Sequence, residues 1–208
     1  MTQKTYDRQT AKFLAVVGEN MPVMTGDVMQ SWIENPKVVG RVLEAFRPSA
    51  TKSFPTWKTV TLGGHKNVKA FLVALESADF HVGDWAKDVM SKPAFTLAKK
   101  KAKVNLVRVT VKELGFVKGA TLKEIYASAS ERGLKLCPPE VGPTLRLEYK
   151  DQPNGEWLTV AMDPITDSDG TPFLFGVDHG SDERWLNTFW IFPEFVWYPE
   201  DEFVFAGS

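Results

Sequence analysis

The hydrophobic period changes along this chain, and that change limits what it can fold into. Up to about residue 90, apolar side chains recur every three or four positions. Beyond residue 140 they fall into short runs parted by Asn-Gly, Asp-Gly and His-Gly pairs. A spacing near 3.6 buries one stripe of a helix, whereas short turn-bounded runs suit strands. Helical and strand patterns kept in separate blocks predict an α+β protein. With 43% hydrophobic residues the chain can bury a core. Its longest uncharged apolar runs, residues 13–17 and 189–192, fall far short of the roughly 18 residues of a membrane helix. Cys137 is the single cysteine, so no internal disulfide forms and no Cys-rich zinc site is indicated. The expectation is a cytoplasmic protein with no membrane segment and no cofactor.

Punctuation divides the chain into three. Residues 1–48 are predicted to form a helical cap. Its first helix carries Tyr6, Phe13, Leu14 and Val17 on one face. A second is capped by Thr25, with Asp27 in its first turn and Val28, Trp32 and Ile33 inward. A third is capped by Asn35, opened by Pro36 and ended by Pro48. Residues 49–55 read as a linker. Residues 55–110 are predicted to be a mixed middle region. It runs from a strand at 57–62 ending in Gly63-Gly64, through helices capped by Asn67 and Asp84, to strands at 95–98 and 104–110. Residues 111–208 are predicted to hold one helix and an antiparallel β-meander. The helix begins at the capping box Thr121-Leu122-Lys123-Glu124 and leaves through Gly133. Strands at 145–149 and 156–162 flank a predicted hairpin turn at Pro153-Asn154-Gly155, and three more follow at 171–177, 184–191 and 202–206.

One long block is familiar as sequence. It runs from Gly119-Ala120-Thr121 through Glu124-Ile125-Tyr126-Ala127, Gly133-Leu134, Leu136-Cys137-Pro138 and Glu140-Val141-Gly142-Pro143. It continues through Leu145-Arg146-Leu147, Tyr149-Lys150-Asp151-Gln152-Pro153, Gly155-Glu156-Trp157-Leu158 and Asp163-Pro164-Ile165-Thr166-Asp167-Ser168-Asp169-Gly170. With Pro55-Thr56-Trp57-Lys58-Thr59, Asp84-Trp85-Ala86 and Lys92-Pro93-Ala94-Phe95 upstream, it resembles an uncharacterised family of bacterial hypothetical proteins over roughly residues 55–206. The resemblance implies a bacterial or mobile-element origin and lends no activity, cofactor or catalytic residue.

A net charge of -1 hides an internal division. Residues 1–103 hold 16 basic and 9 acidic side chains, a surplus of 7 positive charges; residues 104–208 hold 9 basic and 17 acidic, a deficit of 8. The basic run Lys99, Lys100, Lys101 and Lys103 is the candidate nucleic-acid contact, because clustered lysines neutralise phosphates. A solvated loop between strands accounts for the same run.

Catalytic patterns are incomplete. Asp167-Ser168-Asp169-Gly170 begins like a calcium loop, but the twelfth position is Asp178 and Phe173 and Phe175 intrude, so a plain turn is the reading. Asp163, Asp167, Asp169, Asp178, Asp182 and Glu183 would serve a carboxylate-dependent hydrolase if they converged. Cys137, His179 and Asp178 supply the residue types of a nucleophilic triad, yet Cys137 reads as a small buried hydrophobe and His179 as a turn residue. His65 and His81 have no partner at zinc-ligand spacing.

The aromatic residues near the end are the stronger signal. Trp185, Phe189, Trp190, Phe192, Phe195, Trp197, Tyr198, Phe203 and Phe205 crowd into a short stretch. A strand over 184–191 places Trp185 and Phe189 on one side and Leu186 and Trp190 on the other. The alternatives are a strand buried on both faces and a partner-binding platform formed by Trp185, Trp190, Trp197 and Tyr198. The function expected from the sequence is a binding or interaction module for an unidentified protein or small molecule, with nucleic-acid binding and a carboxylate hydrolase as alternatives.

Overall fold

In the computed structural model the described residues are 54–180 and 182–207 and, nearer the N-terminus, 12, 15, 16, 19, 25–35 and 37. The chain divides into two compact units, Met1–Thr51 and Lys52–Ser208. In the first, α1 (Gly26–Glu34) has Asp27 in its first turn. Thr25 holds the N-cap position, but its side chain makes no capping bond. Val28 and Ile33 are exposed, which corrects the inward stripe predicted for them. The predicted first helix and the third helix after Pro36 lie outside the described residues.

The second unit is built on one mixed sheet. Its elements, in chain order, are β1 (Lys58–Leu62), α2 (Val68–Ser77), β2 (His81–Val82), α3 (Asp84–Ser91), β3 (Ala102–Thr110), β4 (Ala120–Thr121), α4 (Leu122–Glu131), α5 (Val141–Glu148), β5 (Trp157–Val160), β6 (Ile165–Thr166), β7 (Pro172–Gly180), β8 (Glu183–Trp190), β9 (Val196–Trp197) and β10 (Glu202–Ala206). The sheet runs β1-β3-β10-β5-β7-β8-β2, with β6 paired to β7; β4 and β9 form a separate pair. β5 and β10 run parallel, as do β2 and β8, and every other pairing is antiparallel. The protein is therefore α+β. Its C-terminal strands do not form a self-contained meander, because β10 lies between β3 and β5. A cut at residue 110 would break the ladder from Glu202↔Thr110 to Ala206↔Leu106.

Local signals place most elements. Asn67 caps α2, its Oδ1 accepting from Ala70 N–H at 2.8 Å. The capping box of α4 is complete: Thr121 Oγ1 accepts from Glu124 N–H, and the Glu124 carboxylate accepts from Thr121 N–H at 2.8 Å. Gly133 leaves with φ +79.

Two predicted strands are corrected. Residues 95–98 stay irregular because the Ala98 N–H donates to the carboxylate of buried Glu140 at 2.6 Å, where a strand would offer it to a neighbour. Residues 145–149 belong to α5 and its C-cap. Pro143 falls in the first turn, where its missing N–H has no intrahelical partner to lose, and residues 141–146 are buried throughout. A helix buried on most of its surface shows no amphipathic stripe, so its Leu-Arg-Leu-Glu alternation mimics a strand. Pro153-Asn154-Gly155 accordingly joins a helix to a strand, with Gly155 at φ +83, and is not a hairpin turn.

Candidate functional site

Parallel β5 and β10 both begin at one end of the sheet, and a cleft of about 470 Å³ opens there. Its walls include Trp157 and Thr159 from β5, Phe189 from β8, Phe195 and Trp197 around β9, and Tyr198 beyond it. Glu156, Glu200, Asp201 and Glu202 supply the acidic rim. Local geometry sets each of these groups.

Trp157 lies across Gly176 of the neighbouring strand, where a side-chain Cβ would overlap the indole ring. Its Nε1–H donates to Thr159 Oγ1 at 3.1 Å, which fixes the ring along its own strand. Trp197 is held by backbone: Ala120 pairs with Trp197 and Thr121 with Val196. The residue that caps α4 thus also anchors the strand carrying Trp197. Tyr198-Pro199-Glu200-Asp201 forms a tight turn, with Asp201 N–H donating to Tyr198 O at 3.1 Å and the Asp201 carboxylate accepting from Tyr198 N–H at 2.7 Å. Proline suits the second position of such a turn and Asp its side-chain bond. Val111 and Lys112 N–H groups donate to Asp201 and Pro199 carbonyls, tying the turn to the end of β3.

The electrostatics are one-sided. Arg108 pairs with Glu156 at 2.6 Å and also with the Glu202 carboxylate. Burial alone would lower the Arg108 pKa, but the two carboxylates outweigh it and hold the guanidinium above the ordinary arginine value. One cation thus faces two anions, while Glu200 and Asp201 add more negative charge. Burial raises the Asp201 pKa, with Glu200 contributing in the same direction against the Tyr198 N–H bond.

Two polar atoms of the cleft residues are unsatisfied. Trp197 is only 2% exposed, and its Nε1–H is buried without an acceptor. Glu156 Oε2 is buried without a hydrogen-bond donor, although its charge is felt by the Tyr149 phenol, which burial and then Glu156 push up to about 12. Unsatisfied buried groups cost about 1–3 kcal/mol each, so an open donor and an open acceptor bordering one cleft are a binding signal.

The sequence-predicted partner residues do not form one platform. Trp185 is half-buried and stacks on His81 with centroids 4.6 Å apart, outside the cleft. Trp190 is 58% exposed and Tyr198 70%, as a contact surface requires. Trp197 is corrected from exposed anchor to buried wall: it sits in β9 among Phe189, Phe195 and Phe203, with centroids at 4.5, 5.2 and 4.7 Å. Edge-to-face contacts of Trp190 with Phe192 and of Phe192 with Phe195 link the exposed ring to that wall. Trp157 and Gly176 were missed by the sequence reading. A glycine in the middle of an apolar strand run was the available signal, since it marks close approach of another group.

The other candidates separate. Lys99, Lys100, Lys101 and Lys103 are exposed around the start of β3, and none lines the cleft. Cys137 is buried, donates its thiol to Val204 O at 3.5 Å, and has its pKa raised by burial. His179 is corrected from turn to strand: it lies buried in β7 with Nδ1 2.6 Å from Gln152 O, so that nitrogen carries the proton. Asp178 accepts from Asn187 Nδ2 at 3.0 Å, and burial raises its pKa. Asp167 organises the predicted turn, accepting from Asp169 and Thr171 N–H groups at 2.9 and 2.8 Å. No three of His, Cys, Asp and Glu converge as metal ligands among the described residues, and none of the helices described there is long and apolar enough to cross a membrane.

No protein-family model matches the chain, and no curated protein or solved structure matches it either.

Proposed function

We propose that this is a cytoplasmic bacterial binding module, one that acts without catalysis and takes its ligand in the aromatic cleft at the start of β5 and β10. The observation that carries the reading is the buried Trp197 Nε1–H without an acceptor beside the unsatisfied Glu156 Oε2, in a cleft walled by Trp157, Phe189, Phe195 and Tyr198. Pockets of this size with apolar walls and a few polar groups are typical of ligand sites. The bacterial assignment rests on the resemblance over residues 55–206.

The test follows the seven tryptophan indole N–H resonances of the full, ¹⁵N-labelled chain, adding in turn amino acids, neutral sugars, nucleosides and small carboxylates. The expected result is that at least one class shifts the Trp157 and Trp197 signals and leaves Trp185, which stacks on His81 elsewhere, in place. Silence of both cleft indoles toward every class overturns the reading.

A further inference from the structure

Resting on that reading of the cleft, we infer that its ligand carries a guanidinium group with a hydrogen-bond acceptor close by, as an arginine side chain and its own main chain do. The two unsatisfied atoms define complementary needs: Glu156 Oε2 calls for a donor, and Trp197 Nε1–H calls for an acceptor. A purely anionic ligand meets the second need but is repelled by Glu156, Glu200, Asp201 and Glu202, of which Arg108 compensates only part. A neutral sugar offers both donor and acceptor and gains nothing from that charge. A cation with N–H groups gains from both.

The walls then favour a planar cation over a compact one. Trp157 is flattened against Gly176, and Tyr198 stands 70% exposed at the rim. A guanidinium is flat, weakly hydrated and stacks on aromatic faces, and it offers several N–H donors at once, whereas an ammonium holds its water more strongly. Arg108 already shows this chemistry beside the cleft: it pairs with two of the same carboxylates, and its guanidinium lies 5.8 Å from the centre of the Trp57 ring.

The same group reaches the cleft from two sources, a free amino acid or a residue within a peptide. Calorimetric titration of the full chain with L-arginine, N-acetyl-L-arginine amide, L-lysine and L-citrulline separates them. Citrulline keeps the shape of arginine and removes its charge. At least one arginine compound is expected to bind, with citrulline and lysine each about tenfold weaker and with affinity falling as salt screens the carboxylates. Tighter binding of free arginine assigns the free amino acid, and tighter binding of the capped amide assigns a peptide. Tyr198→Ala and Glu200→Gln, both at exposed positions, are expected to weaken binding about fivefold each without moving the melting temperature.

Citrulline or lysine binding as tightly as arginine overturns the inference, as does unchanged affinity in both variants. If the cleft indoles respond to sugars or nucleosides while none of these four probes binds, the guanidinium inference fails and the binding reading stands. If they respond to nothing, both fail.

Discussion

Trp157 occupies the space that any side chain at Gly176 would need. Glycine in a strand interior ordinarily weakens it, and here the missing Cβ lets an indole lie against the sheet. Gly176→Val is therefore expected to push Trp157 off the strand and break its bond to Thr159. The check is the Trp157 indole N–H, which should exchange with solvent faster in the variant; an unchanged rate refutes the packing account.

Trp190 and Trp197 are close in sequence and opposite in role. Trp197→Ala empties a site packed against three phenylalanines and should cost about 3–5 kcal/mol in urea unfolding. Trp190→Ala, at a mostly exposed position, should fall within about 1 kcal/mol of wild type. Equal costs would show that exposure does not distinguish them.

Arg146 is fully buried beneath the sheet. It donates to the carbonyls of Asp178 and Tyr149 and to Gln152 Oε1, and it lies over the Phe80 ring. Burial lowers its pKa to about 10, with Arg184 adding to the effect. Arg146→Leu leaves three acceptors without a donor and should destabilise by about 3–5 kcal/mol. Arg146→Lys should not restore full stability, because one ammonium cannot reproduce the fork. Full rescue by lysine would contradict this.

The capping box makes a prediction in pH. The Thr121 hydroxyl and backbone N–H both donate to the Glu124 carboxylate and hold its pKa below the ordinary glutamate value of 4.5. The folded state therefore binds that proton less readily than the unfolded chain. The contribution is complete above the unfolded pKa and is lost as pH falls through the folded one. Melting temperatures of wild type and Glu124→Gln should differ at neutral pH and converge in acid. A gap that persists at low pH would assign the effect to something other than the carboxylate.

Separability is decided by the sheet. A fragment of residues 111–208 lacks β3 and would expose the β10 ladder edge with its buried Phe203, Val204 and Phe205. It should show no cooperative thermal transition, whereas residues 52–208 should. Cooperative melting of the shorter fragment would contradict the single-sheet account.

Several elements were legible because their causes are local. Thr121 and Glu124 satisfy each other's backbone within one turn, Asn67 caps from one residue away, and Gly133 turns the chain by its own φ. The runs that became β3, β7, β8 and β10 were visible for the same reason, as was the turn at Asp167. Pairing was not visible. Nothing near residues 202–206 says that they lie between β3 and β5, because strand order is fixed by contacts far apart in sequence, whose cost and gain appear only when the sheet closes. The same limit hid α5, whose burial on most sides erased the helical period, and it kept residues 95–98 from strand form through a carboxylate some forty residues away. The crowd of aromatic residues was plain in the sequence. Which of them would be wall, rim or core was decided by the fold, since Trp197 is buried by Phe189 and Phe203 while Tyr198, its immediate neighbour, stands in solvent. Composition determined that this chain would bury aromatic surface and carry an acidic C-terminal half. Only the tertiary structure brought the two together in one cleft, because an alternation of faces says where a side chain points and not what it meets.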